Sequence, residues 1–418
     1  MQRYETYKPS GAEWLGDIPG HWALLPAKRL FREISEKDHP NAELLSVTQE
    51  FGVVPRDQLE QRVVMPTGQL QTFKLVRADD FVISLRSFQG GIEYSAFTGL
   101  VSPAYTVLRK QKSINSRYLK HLLKCTPFIS ELNTSVTGIR EGKNISFAEM
   151  AYSLLPIPEP SEQEDIADFL DRKTAEIDAA VAKKNSLIEM LQEQKHIRIN
   201  QAVLRGLNPD VPMRDSGVPW IGVIPEHWKV IPNRYIFREQ NERSLHGKET
   251  HLSMSQRLGL VPAKELDVQT LQSESYDGAK LCQKGDLVQN RLKAHLAVFA
   301  VSPCDGLVSP DYSVFRLNDP KYQPVFFERL FKTPNYLGEF NRRVRGIVVG
   351  FLRLYSGDFN AIPALVPPEE EQSEIVTFIE KINVEFSRVQ MKIENEIAQL
   401  QELRAITVAS AVTGKIKV

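Results

Sequence analysis

Two four-residue segments carry residue types that could hold an amine for chemistry. They are residues 102–105 (SPAY) and 309–312 (SPDY). Enzymes that methylate amines use the pattern (Asn/Asp/Ser)-Pro-Pro-(Tyr/Phe), in which acceptor groups hold the amine against an aromatic ring. Ala104 and Asp311 stand where that pattern has its second proline, and no glycine-rich turn that could hold a nucleotide cofactor precedes either segment. We therefore interpret both segments as a repeated strand element.

Other catalytic patterns are missing from the sequence. There is no GxxxxGK[ST] phosphate loop, and the eight histidines never fall in HxxxH or HExxH spacing. His21 and His227, each followed by Trp, are expected to be packed or capping residues. The three cysteines are scattered without a CxxC pair, which favours reduced, packed thiols. The sequence thus predicts no catalytic residue, no metal and no cofactor in this chain.

Basic residues close to glycine or other small residues are the remaining candidates for function. Arg and Lys in such loops can approach phosphates or the guanine edge in the major groove of DNA. An ordinary solvated loop explains these residues equally well. The candidates are Arg86, Arg140, Lys143, Arg291, Lys293, Arg342, Arg343, Arg345 and Arg353.

Length and composition restrict the class of protein. A chain of 418 residues exceeds the usual size of one hydrophobic core, so two or more domains are expected. The 52 basic and 52 acidic residues exclude a nonspecific polycation, although a local basic face is still compatible with DNA binding. No apolar run is long enough for a membrane span, and the N-terminal residues lack the pattern of a signal peptide. A cytoplasmic protein is expected.

The sequence repeats itself. The segment SGAEWLGDIPGHW from Ser10 returns as SGVPWIGVIPEHW from Ser216, a shift of 206 residues. GLVSPAYTVLR from Gly99 returns as GLVSPDYSVFR from Gly306, and the proline-rich IPEPSEQEDIADFL matches VPPEEEQSEIVTFI near the end of each half. Between these blocks, SVTQEFGVVPRDQLEQRVV has no evident counterpart in SMSQRLGLVPAKELDVQTL beyond a loose VP echo. This pattern favours one duplicated scaffold with two separately tuned surfaces.

The first 155 or so residues of each half alternate β-rich runs with Gly, Pro, Asn and Asp, which predicts a mixed α+β globule with short helices at 116–124 and 324–332. A different pattern follows the proline clusters. Apolar residues recur every three or four positions up to Gly206 and Gly414, as in a heptad stripe. Two long helices are expected to pair antiparallel, because an isolated stripe would remain exposed to water. Folding back on the same domain, or pairing between two chains, are the alternatives.

The repeated blocks resemble the specificity subunits of type I restriction–modification systems. The resemblance covers essentially the whole chain and includes the SGxxWxGxIPxHW opening, the GLVSPxYxV strand, the EQxxIxxFL segment and the closing AVTGKI. It implies an α+β fold with two pseudo-symmetric mixed α/β target-recognition domains separated by two long antiparallel coiled-coil helices. The implied boundaries are 1–155 and 207–364 for the domains, and 160–206 and 369–414 for the spacer helices.

The resemblance also implies a function without catalysis in this chain. Each domain would recognise one half of a bipartite, asymmetric site in double-stranded DNA, and the helices would bind two methyltransferase subunits. S-adenosylmethionine, ATP and Mg would be held by these partners and by restriction subunits. The alternative from another class is a structural adaptor without a DNA role, with two binding modules on a coiled-coil stalk. A fragment of a fused methylase-specificity enzyme is a third interpretation.

Overall fold

The computed structural model describes residues 2–59, 70–85, 87–134, 136–137, 144–255, 258–265, 276–296, 298–346 and 352–418. It divides into two compact units. Unit 1 comprises residues 1–185 and 393–418, and unit 2 comprises residues 186–392. Each unit therefore contains the start of one long helix and the end of the other.

Unit 1 contains fourteen strands in its described residues. They are β1 Tyr7–Pro9, β2 Asp17–Pro19, β3 Ala23–Pro26, β4 Phe31–Ile34, β5 Leu45–Thr48, β6 Gly52–Pro55, β7 Lys74–Val76, β8 Phe81–Ile83, β9 Glu93–Tyr94, β10 Gly99–Val101, β11 Thr106–Lys110, β12 Val136–Thr137, β13 Asn144–Ile145 and β14 Leu154–Ile157. Its helices are α1 Ser87–Gly90, α2 Ser116–Leu122, α3 Thr126–Thr134 and α4 Phe147–Met150, and α5 Pro160–Arg205 begins here.

Unit 2 contains twelve strands in its described residues. They are β15 Met213–Asp215, β16 Val223–Pro225, β17 Lys229–Pro232, β18 Phe237–Gln240, β19 Leu252–Ser255, β20 Gly259–Pro262, β21 Lys280–Cys282, β22 Leu287–Asn290, β23 Phe299–Val301, β24 Gly306–Val308, β25 Tyr312–Leu317 and β26 Pro363–Val366. Its helices are α6 Asn233–Ile236, α7 Pro324–Phe331, α8 Pro334–Arg343 and α9 Ser356–Ala361, and α10 Glu369–Val412 begins here.

The two units have the same topology. A four-stranded antiparallel sheet has the order β4-β11-β8-β9 in unit 1 and β18-β25-β22-β23 in unit 2. In both sheets an arginine of the central strand makes two hydrogen bonds to a buried aspartate at the start of its neighbour, Arg109 to Asp80 and Arg316 to Asp286. The sheet therefore has the same internal anchor in each unit, and the α+β fold predicted from the sequence is confirmed.

The segments that diverge in sequence have the same structure in both units. The segments that seemed to lack a counterpart build the same hairpin, β5-β6 in unit 1 and β19-β20 in unit 2, with four matched residue pairs each. Gly52 and Gly259, with φ of 74° and 75°, occupy equivalent turns that favour glycine. The scaffold thus continues into the region where the two sequences diverge.

The helices α5 and α10 run antiparallel. Within unit 1, Asp178 pairs with Arg404 and Lys184 pairs with Glu396. Residue numbers therefore rise along α5 in the direction in which they fall along α10. The apolar stripe is buried at its two ends, where it enters the unit cores, but Leu187 and Val389 are exposed. No helix in the described part of the chain is long and apolar enough to cross a membrane.

Each unit core receives one helix start and one helix end. In unit 1, Ile166 and Leu170 from α5 share a core with Val408 and Val412 from α10. In unit 2 the roles are exchanged, and residues 199–203 of α5 pack in one core with residues 375–382 of α10. Burial at their ends, more than helix propensity, therefore fixes the two long helices.

Candidate nucleic-acid interface

The segments 102–105 and 309–312 form turns that lead into β11 and β25. In each turn the serine hydroxyl accepts a hydrogen bond from the backbone two residues later, at 3.3 Å from Ala104 N in unit 1 and 3.3 Å from Asp311 N in unit 2. The hydroxyl thus stabilises the turn. The repeated pattern therefore serves as the turn that precedes a central strand of each sheet, rather than as a catalytic site.

The predicted basic residues fall into two sets. Arg86, Arg140 and Lys143, all in the first half of the sequence, lie outside the described residues. The other six belong to unit 2, where α8 packs on the 3-10 segment Arg291–Leu296 that carries two of them. The structure thus brings three separate stretches of sequence to one surface, and DNA contact by these residues stays a prediction.

Asp311 contacts two of the arginines of this surface. Arg291 Nε donates to the backbone oxygen of Asp311 at 2.8 Å, and the Arg353 guanidinium lies 3.5 Å from its carboxylate. Arg353 and Arg345 exchange two backbone hydrogen bonds of 2.9 Å, and Arg345 donates to Asp358 at 2.8 Å. Three arginines are thereby held in fixed positions, with further N–H groups available to a ligand.

Arg342 and Arg343 end helix α8, where positive charge complements the helix dipole. Arg343 Nε donates to the buried Glu339 at 2.6 Å, so this arginine has a structural role. The Arg342 side chain is 72% exposed and lies 3.9 Å from the same carboxylate. Lys293 is exposed and has no ion pair with the described residues. Arg342 and Lys293 are therefore freer to meet an anion.

Behind the arginines lies a polar layer in which Lys280 and Gln289 are buried. Lys280 Nζ is 3.8 Å from Glu239, and burial, the largest cause, lowers the pKa of Lys280. Ser356 Oγ donates to Glu239 at 2.8 Å. Gln289 is fully buried, and neither atom of its amide has a hydrogen-bond partner in the described part of the chain. Unit 1 has Ile83 at the matched strand position, so this layer distinguishes the two units.

The six predicted cations of unit 2 have three carboxylate partners among the described residues, Glu339, Asp358 and Asp311, so this set has an excess of three positive charges. Such a surface suits the phosphates and base edges of a nucleic acid better than a neutral small molecule. Among the described residues no group of three or more His, Cys, Asp or Glu side chains is arranged to hold a metal ion.

His21 and His227 pack against the starts of the long helices. His21 Nε2 lies 2.9 Å from Glu162, and His227 Nε2 lies 2.7 Å from Glu371. Each histidine therefore contacts a carboxylate in the first turn of a long helix, and a capping role for either one stays a prediction. Sequence reasoning missed Asp311 as an anchor because it was judged only as the residue that breaks a methyltransferase pattern. Its difference from Ala104, between otherwise matching strands, was the available signal.

The fold and this surface define a class of protein, a duplicated chain with two α+β units, two antiparallel long helices and a basic face. No family model matches the chain. It is 23% identical over 396 residues to the specificity subunit of the type I restriction enzyme EcoKI from Escherichia coli K12, which covers 85% of this chain and 78% of that protein. The specificity subunit of StySPI from Salmonella potsdam is 22% identical over 211 residues, or 45% of this chain and 43% of that protein.

A solved chain from work on complex assembly and conformational transition of the type I R-M system has the same fold. The TM-score is 0.65 at 13% sequence identity, with 96% of this chain and 99% of that chain covered. Sequence similarity and fold together confirm the resemblance predicted from the repeated motifs. The chain is similar in sequence and fold to specificity subunits of type I restriction–modification systems.

Proposed function

We propose that this chain is the non-catalytic DNA sequence-specificity subunit of a type I restriction–modification enzyme. Each unit recognises one half of a bipartite, asymmetric site in double-stranded DNA. The observation that carries the proposal is the duplication itself, since one scaffold is built twice while the surface beside its sheet differs. Two different surfaces on one repeated scaffold suit two different half-sites.

The partners are part of the same proposal. The long helices bind two methyltransferase subunits, and restriction subunits join that complex. S-adenosylmethionine, ATP and Mg are held by those subunits, so this chain alone neither methylates DNA nor hydrolyses ATP. The exposed apolar residues midway along the helices, such as Leu187, Met190 and Met391, support a protein partner there. The complex is proposed to work in the cytoplasm.

The test is methylome sequencing of a host that carries the complete complex. The parent complex should methylate one bipartite motif. Exchange of residues 1–155 for the same region of a related subunit should change one half-site and preserve the other. If both half-sites changed together, independent recognition by the two units would be wrong. If the assembled complex bound no duplex at any salt concentration, the adaptor function would be the correct one.

A further inference from the structure

Each unit presents a cation over an exposed tyrosine ring at the same place in the fold. In unit 1 the Lys28 ammonium lies 4.2 Å from the centre of the Tyr152 ring. In unit 2 the Arg234 guanidinium lies 5.0 Å from the centre of the Tyr235 ring. Lys28 and Arg234 are matched at the repeat shift of 206 residues. Lys28 lies between β3, which pairs with β14, and β4. Arg234 lies in the same way between β17, which pairs with β26, and β18. We call these the Lys28 patch and the Arg234 patch.

The backbone of both patches is fixed within its unit. Lys28 N donates to the backbone oxygen of Ala151 at 2.9 Å. In unit 2, Asn233 N donates to the backbone oxygen of Ile362 at 2.9 Å, and its side-chain amide donates to Phe359 at 3.1 Å. A ligand would therefore meet a preformed surface, which lowers the entropy cost of binding.

The rings do not stabilise a core. Tyr152 is 68% exposed and Tyr235 is 61% exposed, so little apolar area is buried by either ring. They also come from different sequence positions, since Tyr235 adjoins its own cation whereas Tyr152 comes from the segment after α4. The two halves thus provide the same pair of groups by different means. Contact with a ligand explains this better than folding does.

The charge of the patches is not neutralised within the described part of the chain. Lys28 and Arg234 are exposed and have no ion pair there, and the same holds for the neighbouring Arg29, Arg32 and Arg238. Glu33 and Glu149 are the exposed acids closest to the unit 1 residues in sequence, and neither forms an ion pair with a described residue. By contrast, Arg343, Arg345 and Arg353 of the basic surface are all paired with carboxylates.

We propose that the Lys28 patch and the Arg234 patch each contact the sugar–phosphate backbone of DNA without regard to base sequence. The inference rests on the proposed function, because it assumes that each unit recognises a different half-site. A feature present in both units suits a target that both half-sites share, and the backbone is common to all duplexes. The cation neutralises a phosphate, and the tyrosine ring and hydroxyl pack on the adjoining sugar. The cations of both patches have no ion pair in the described part of the chain, and this favours the negatively charged DNA backbone over a protein partner.

The experiment uses the complete complex with its methyltransferase subunits. DNA affinity is measured against salt concentration for the cognate duplex and for a scrambled one. The double variant Lys28→Ala/Arg234→Ala should lower the salt slope by about two, one for each phosphate contact. Affinity for both duplexes should fall by the same factor, and the methylated motif should not change. Tyr152→Ala/Tyr235→Ala should weaken both duplexes equally while the salt slope stays the same.

Two controls make the result specific. Lys8→Ala/Lys284→Ala removes two exposed lysines elsewhere in the same units and should leave the slope unchanged. Lys28→Arg/Arg234→Lys keeps the charges and should retain the parent slope. An unchanged salt slope in the Lys28→Ala/Arg234→Ala complex would overturn the inference. So would a variant that assembles poorly with its partner subunits while the complexes that do form bind DNA normally. If the parent complex itself bound no duplex, the proposed function would fail instead.

Discussion

The junctions between helix and core differ little between the two units, whereas the surfaces beside the sheets differ greatly. In unit 1, Gln163 accepts from Asn115 N at 2.9 Å and donates to Pro158 O at 2.9 Å. In unit 2, Gln372 makes the same two bonds, with Gln323 N at 3.0 Å and Pro367 O at 2.9 Å. Duplication has retained the groups that join core to helix.

The glutamate beside each glutamine shows how far the junctions vary. Glu162 accepts hydrogen bonds from the Tyr4 hydroxyl at 2.6 Å and His21, whereas Glu371 accepts from His227 and from the Trp228 indole at 2.9 Å. The donors change but the carboxylate remains satisfied. Buried or half-buried polar groups that lose their partners are costly, so substitutions here are tolerated only when a new donor replaces the old one.

The largest expected loss of stability confined to one unit follows substitution of the aspartate in the Arg–Asp pair that anchors its four-stranded sheet. Asp80→Ala removes the hydrogen-bonded partner of Arg109, which keeps an ion pair with Glu36 at 3.6 Å. Asp286→Ala removes the partner of Arg316. Loss of one member of such a pair costs about 3–5 kcal/mol when the pair is buried. The arginine side chains are 25% and 28% exposed, which places the cost at the lower end. Hydrogen exchange should show each loss mainly in its own unit. Equal loss of protection in both units from one substitution would contradict independent anchoring.

The glycines that end the long helices should give a smaller and unequal effect. Gly206 and Gly414 have φ of 78° and 72°, so Ala at either position costs about 1–2 kcal/mol. A Cβ on Gly414 would lie 2.2 Å from the Pro19 ring, whereas one on Gly206 would lie 2.7 Å from a Glu371 oxygen that can move. Gly414→Ala should therefore destabilise more than Gly206→Ala in thermal unfolding. The opposite order would contradict the view that the Pro19 ring yields less readily than the Glu371 side chain.

Substitution of single arginines of the basic surface should affect either the stability of unit 2 or DNA recognition, depending on the arginine. Arg343→Ala leaves Glu339 buried without its 2.6 Å partner, which should lower stability by about 1–3 kcal/mol. Arg342→Ala and Arg345→Ala should instead weaken DNA binding by the complex, either with a salt slope lower by about one or with relaxed specificity at one base. Only the half-site of unit 2 should change. Altered methylation in the other half-site would refute the assignment.

The scaffold was predictable from the sequence and its surface chemistry was not. Periodic apolar residues followed by Gly206 and Gly414 predicted the long helices, because a heptad stripe and a terminal glycine have few other structural solutions. The hairpins β5-β6 and β19-β20 were missed, since the longer divergent stretch around them hid the shared LSxxQ and GxVP residues.

The roles of individual arginines depend on tertiary contacts. Arg343 and Arg342 are neighbours in sequence and look equivalent, yet only Arg343 forms a short bond to a buried acid. Lys28 and Tyr152 are far apart in sequence, so no local pattern could show that one stacks on the other. Such assignments require the folded chain.

A pH-dependent difference concerns a carboxyl group that only unit 1 possesses. Glu93 of β9 pairs across the sheet with Val82, and the residue matched to it in unit 2 is Ala300, opposite Val288. Glu93 is buried, its Oε2 lies 2.7 Å from Lys124 Nζ, and its Oε1 has no hydrogen-bond partner in the described part of the chain. Burial raises the pKa of Glu93 to about 7, although Lys124 opposes the shift.

An unfolded glutamate titrates near pH 4.3, so between about 4.3 and 7 the folded chain holds a proton that the unfolded chain has lost. The stability contributed by Glu93 therefore falls as pH rises through this window, by at most about 1.4 kcal/mol for each pH unit. Glu93→Gln removes this dependence, and the difference in unfolding free energy between parent and variant should grow with pH until about pH 7. Hydrogen exchange in β8 and β9 measures the effect, with β22 and β23 as the internal control. Parallel pH curves for the parent and Glu93→Gln would show that Glu93 keeps an ordinary pKa, and the two units would then respond to pH alike at this position.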